Sequence, residues 1–140
     1  LNMLLANYQI FYMNTRGFHW NIKGDDFFEL HQKFEELYND LFLKIDEIAE
    51  RVVTMGSTPL HSYQDYADIA RLPEVKDVRD GKEAIKHLLA GFEVLLPLQR
   101  ELLQESAEAM DEGTNAMMSD FITEQEKTVW MMKAWLGETV

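Results

Sequence analysis

Along this chain, apolar residues recur at three- and four-residue intervals in four long stretches, the spacing of helices that each bury one face. In residues 1–20 that face is Leu4, Leu5, Tyr8, Phe11, Tyr12 and Phe18. Asn21-Ile22-Lys23-Gly24-Asp25 interrupts the repeat, and Asp25 or Asp26 is a suitable N-cap for a second helix. That helix is expected from about Asp26 to about Met55, ending before Gly56 and Pro59. Turn formers dominate 56–79, with one short helix expected over Tyr63 to Ala70. A third long helix is expected from Gly81 to Met110, carrying Ile85, Leu88, Leu89, Phe92, Leu95, Leu96, Leu102 and Leu103, with a kink at Pro97. Thr114 is the expected cap of a fourth, which runs to about Leu136 and presents Met117, Met118, Phe121, Ile122, Val129, Trp130 and Met132. The pattern predicts an all-α four-helix bundle whose long connection between the second and third helices carries a short helix.

The second helix has more apolar surface than a bundle core requires. Leu30, Phe34, Leu37, Leu41, Ile45, Ile48 and Val52 make one stripe at about 100° per residue. His31, Tyr38, Phe42, Ala49 and Val53 make a second beside it, widening the arc to roughly 160°. Gln32, Lys33, Glu36, Asp40, Lys44, Glu47 and Arg51 fall on the opposite, solvated side. The extra stripe suits contact with another subunit.

At 140 residues and 46% hydrophobic content, the chain is sized for one domain spanning 1–140. With no cysteine, disulfides, thiolate metal sites and thiol catalysis are excluded, so any metal falls to nitrogen and oxygen ligands. No apolar run is long enough to span a bilayer and no secretory signal pattern opens the chain, so a soluble, cytoplasmic protein is expected. The net charge of −12 repels phosphate backbones, and no basic patch offsets it.

Against this background His19, His31, Asp46 and Glu50 stand out, two imidazoles and two carboxylates set around apolar positions. His19 and His31 flank the first turn almost symmetrically, so an antiparallel hairpin brings them into one pocket. Asp46 and Glu50, four residues apart, share nearly one face of the second helix. Fifteen residues separate Asp46 from His31, about 22 Å along a helix, whereas ligands of one ion lie about 2 Å from it. One chain therefore cannot close a site from all four, and an antiparallel pairing of second helices about a two-fold axis would bring His31 of one copy near Asp46 of the other. Imidazole with carboxylate suits iron(II), zinc, manganese or cobalt. None of the four histidines has a glutamate three residues earlier, which disfavours a di-iron site built from Glu-x-x-His pairs within one chain. His61 and His87 read as ordinary helix or surface residues, with His87 placed to pair with Glu83. Trp20 is expected to fill the hairpin between the first two helices; Glu35, one turn after His31, either joins the metal shell or remains solvated, and solvation is the expected outcome.

His19-Trp20, Gly24, Phe27 or Phe28, His31, Phe34, Tyr38 and the run Asp46-Glu47-Ile48-Ala49-Glu50-Arg51 with Gly56 and Pro59 closely resemble the Dps family of mini-ferritins. Leu1-Asn2-Met3-Leu4-Leu5-Ala6-Asn7 is similar to the start of that family's first helix, and Glu126-Lys127 with Trp130-Met131 to its last. The resemblance implies a ferritin-like fold, a homo-oligomeric shell of twelve subunits and ferroxidase centres at two-fold interfaces. It implies that iron(II) is bound by His19 and His31 of one subunit with Asp46 and Glu50 of its partner, oxidised with hydrogen peroxide and stored as ferric mineral, which limits oxidative damage. Many members also bind DNA through a Lys- or Arg-rich extension. No such stretch flanks the sequence given, so DNA compaction stands as the alternative function. Where the family places a pore-lining aspartate near the start of the last helix this chain has Ala116, leaving Asp111 and Asp120 as pore candidates.

Overall fold

The computed structural model describes residues 1–137 and contains five helices: α1 (Asn2–Asn21), α2 (Phe27–Thr54), α3 (Tyr63–Ile69), α4 (Gly81–Glu108) and α5 (Glu112–Trp135). No strand occurs among the described residues; one isolated parallel bridge joins Lys23 to Asp80. No helix among these residues is long and apolar enough to cross a membrane. Contacts within the chain divide it into two compact units, Leu1–Leu88 and Leu89–Val140.

The first unit is organised by the α1–α2 hairpin. Leu4, Leu5, Tyr8, Phe11 and Phe18 of α1 and Leu30, Phe34, Leu41, Ile48 and Val52 of α2 are buried. Burying one such side chain contributes about 1.5–3 kcal/mol. Ring pairs retreat evenly from the turn: His19 with His31, Phe18 with Phe34, Tyr12 with Tyr38 and with Phe42. This is the antiparallel register expected from the sequence. At its far end α2 closes in a Schellman motif, with Ser57 N–H donating to Val52 O and Gly56 N–H to Val53 O. Gly56 takes the left-handed conformation this closure needs, at φ 88°.

Asp26 is the N-cap of α2, as expected, although its side chain makes no capping bond. Two other expectations are corrected. Thr114 does not cap α5; Asp111 does, its Oδ1 accepting from Thr114 N–H at 3.1 Å, while Thr114 is buried one turn into the helix. Lys44, placed on the solvated side, has a side chain only 6% exposed and donates to both carboxylate oxygens of Asp40 at 2.7 and 2.8 Å. Having a counter-ion one turn away lets the ammonium leave water.

The crossover from α2 to α4 has little secondary structure of its own, so its backbone groups need other partners. Asparagines of α1 supply them. Asn2 donates to Thr58 O and accepts from Leu60 N–H, Asn7 accepts from Arg71 and Leu72 N–H, and Asn14 donates to Pro73 O and accepts from Val75 N–H. Within α3, capped by Ser62 through Asp65 N–H, Tyr66 donates its hydroxyl to Leu60 O at 2.7 Å. Burial raises the Tyr66 pKa above the usual phenol value, which keeps it a donor.

The second unit comprises the rest of α4, which runs through Pro97 as one helix, and α5. Its buried residues include Leu95, Leu98, Met118 and Phe121, with Gln99 donating to Gln125 across the two helices at 2.7 Å. The α4–α5 turn closes by the same two-bond motif as α2, with Met110 in the left-handed position at φ 58°.

The Asn7 latch is open to test. Replacement by Leu strands two backbone donors, one of them fully buried, and is expected to cost about 2–4 kcal/mol. Urea unfolding at matched protein concentration measures this; a loss below about 0.5 kcal/mol would remove the latch from the account of crossover stability.

Candidate metal centre

At the end of α1, as at any helix C-terminus, the last carbonyls have no partner further along the helix. Ile22 N–H takes Phe18 O. The next carbonyl, His19 O, takes the imidazole of His31, whose Nδ1 lies 2.7 Å away. The relation is reciprocal, because His19 Nδ1 lies 2.6 Å from His31 O. A carbonyl only accepts, so each Nδ1 carries the proton and donates. Each neutral ring then has its lone pair on Nε2, the form in which imidazole binds a metal.

The two rings stack at 3.8 Å between centroids and 13° between planes, which aligns them. Phe27 stacks on the outer face of His31 at 4.9 Å, and Tyr38 sets its ring edgewise to His19 at 5.2 Å. His19 is buried and His31 half-buried. Fixed tautomers and packed rings leave little freedom, so the pair is organised before any ion arrives.

Glu35, expected to be solvated, is brought to the same place. Its Oε1 lies 3.8 Å from His19 Nε2, while half of its side chain stays exposed. That distance is too long for a hydrogen bond and falls within the span of two ligands each about 2 Å from a common ion. The signal was available in the sequence, since Glu35 follows His31 by four residues and shares its helix face.

Asp46 and Glu50 are exposed on α2 and are not brought to the histidines of their own chain, as the length of that helix requires. Among the described residues no group of three or more His, Cys, Asp or Glu closes around a single ion. The remaining histidines behave as expected: His61 contacts Pro59 O, and His87 pairs with Glu83 and stacks on Phe18. Trp20 is a correction, being 57% exposed rather than filling the hairpin; the Arg16 guanidinium lies 4.7 Å over its ring. Phe42 and Val53 of the extra apolar stripe are also exposed, together with Met13 on α1. Asp111 serves as a helix cap, and Asp120 is exposed on α5.

The whole chain, residues 1–140, matches the family model for a ferritin-like domain. A DNA protection during starvation protein of Porphyromonas gingivalis is 38% identical over 135 residues, covering 96% of this chain and 85% of that one. Among solved structures, a Dps protein of Vibrio cholerae O1, described as a member of a broad superfamily of ferritin-like diiron-carboxylate proteins, superposes with TM-score 0.95 at 57% identity. The match covers 96% of this chain and 85% of that one. Dps of Listeria monocytogenes gives the same TM-score at 27% identity, over 99% of this chain and 91% of its own.

The clasp makes a specific expectation for the proton positions. In protein carrying nitrogen-15 histidine, solid-state NMR of the metal-free form should show His19 and His31 both protonated at Nδ1 near neutral pH. Finding either ring protonated at Nε2 alone would break the argument.

Proposed function

Since this chain belongs to the Dps family of ferritin-like proteins, we propose that it is a ferroxidase and iron-storage protein, with iron as substrate and stored product. The observation that carries this reading is the His19–His31 clasp, which presents two aligned Nε2 atoms beside the Glu35 carboxylate. In this reading His19, His31 and Glu35 of one subunit meet Asp46 and Glu50 of its two-fold partner, and the mixed nitrogen and oxygen set holds iron(II). Exposed Phe42 and Val53 on the same helix supply apolar surface for that pairing. The assembly is a shell of twelve subunits.

Hydrogen peroxide is the oxidant. Two iron(II) ions give up one electron each, the O–O bond breaks, and two protons are taken up to form two waters. The ferric product then hydrolyses and deposits as mineral inside the shell. Each ligand binds iron without acting as a general acid or base. Consuming iron(II) and peroxide together denies the cell the reactants that make hydroxyl radical, and DNA is protected chemically. A net charge of −12 works against direct contact with phosphate, the alternative mode of protection. The protein acts in the cytoplasm.

Mixing two inactive variants tests the shared site. His31→Ala and Asp46→Ala proteins should each assemble yet lose rapid peroxide-driven iron oxidation in stopped flow. Co-assembled at equal amounts, half the dimers are mixed, and in each mixed dimer one of two sites is wild type. About one quarter of the wild-type rate should return. No recovery in verified mixed shells, or wild-type speed in either variant alone, would refute the site.

Direct DNA compaction has its own readout. The protein is expected to leave duplex DNA unshifted in a gel even at low ionic strength; a shift that weakens steeply with added salt would favour compaction instead.

A further inference from the structure

Among the described residues, Arg16 Nε is the one buried side-chain nitrogen or oxygen without a hydrogen-bond partner, and it lies near the clasp. Arg16 is on α1 one turn before His19, and three aromatic rings surround its guanidinium: Trp20 at 4.7 Å, Tyr12 at 5.4 Å and Tyr38 at 5.8 Å from the guanidinium carbon. These contacts hold the charge in place by cation–π attraction. A ring face is not an oxygen acceptor, and these contacts leave the buried Arg16 Nε without a hydrogen-bond partner. A guanidinium is always charged and has five donors, so a native structure should explain such a gap. The nearby Glu35 does not fill it, because its carboxylate faces His19. Arg16 also borders a groove of about 410 Å³ between α1, α3 and the crossover, so an acceptor has room to approach. Glu74 and Lys76 are the other charged residues lining that groove.

We propose that in the iron-free assembly the Arg16 guanidinium binds Asp46 of the partner subunit, and that iron(II) takes this carboxylate away from it. The inference rests on the shared site proposed above. Arg16 is level with Glu35 in the hairpin, one turn nearer the middle of α2 than His31. An antiparallel pairing that sets Asp46 of the partner subunit opposite His31 leaves Glu50 of the partner subunit a further turn away, so the shorter acid is the one in reach. The bond has a clear physical use. Without iron, carboxylates gathered at one interface repel one another, and the guanidinium neutralises one of them with a charge-assisted bond. Iron must then compete with Arg16 for its ligand, which weakens binding and sets the concentration at which the site fills. Arg16 thus competes with iron for the acid half of the site.

Two measurements decide it. Crystal structures of the iron-free and zinc-soaked assemblies should show Arg16 within hydrogen-bond distance of Asp46 of the partner subunit in the first and separated from it in the second. Calorimetric titration with cobalt(II), which this oxidant does not turn over, should show Arg16→Gln binding about tenfold tighter than wild type. The same substitution made on top of Asp46→Asn should bring no gain. An equal gain in both backgrounds would mean that Arg16 acts only through its long-range field, and the proposal fails; it fails too if the iron-free guanidinium meets only water. Cobalt that does not bind at His19 and His31 in the wild-type protein would overturn the ferroxidase reading instead, while the iron-free structure still decides the Arg16 pairing.

Discussion

The reciprocal bond between His19 and His31 is the constraint on which the rest of this site depends. It is made from two different needs. The end of α1 leaves carbonyls without partners, and a metal-binding imidazole needs one nitrogen protonated and anchored so that the other is free. Donating each ring to the other residue's carbonyl meets both needs at once. Both acceptors are main-chain atoms, so the clasp depends on hairpin register more than on neighbouring side chains. Slipping α1 against α2 by one residue would break both bonds and unstack both rings. The apolar pairs Phe18–Phe34 and Tyr12–Tyr38, which hold that register, therefore support the site from outside it.

Most of the fold was legible in the sequence because helical periodicity is strong where helices bury one broad face. The limits of α2, α4 and the short α3 fall within about two residues of those expected, the scatter usual for helix ends. The failures share a cause, which is that periodicity gives the angle of a residue about its helix and not what lies there. Lys44 projects outward on a helical wheel, yet Asp40 holds its ammonium and the stem is covered. Large aromatics usually are buried, which makes packing the natural expectation for Trp20, but here the ring is a platform for Arg16. The asparagine latches to the crossover needed a different signal. Asn7 and Asn14 fall among the buried residues of α1, and a polar residue there has to be satisfied by something.

The candidate site was legible to a different depth in each half. The histidines follow from symmetry about a turn, and the structure brings them together. Glu35 has the helical spacing from His31 that would let it join the site, but sequence alone does not give the side-chain direction that brings it to His19. For Asp46 and Glu50 the sequence supplies a negative argument: about 22 Å of rigid helix separates the nearer acid from His31, so these acids serve that metal only in another copy.

This division gives the two halves of the proposed centre different characters. The imidazoles are fixed in the folded chain by main-chain bonds and ring packing, and they cost little further ordering when an ion binds. The carboxylates of Asp46 and Glu50 are exposed on the single chain and are placed only by association. A centre divided in this way is incomplete in an isolated subunit, which has imidazoles without the partner's acids. On the proposed function, iron oxidation is confined to assembled protein, where ferric product would pass into an enclosed volume instead of precipitating in solution. The arrangement couples chemistry to assembly through helix length alone: shortening the span between His31 and Asp46 enough for one chain to close the site would uncouple them.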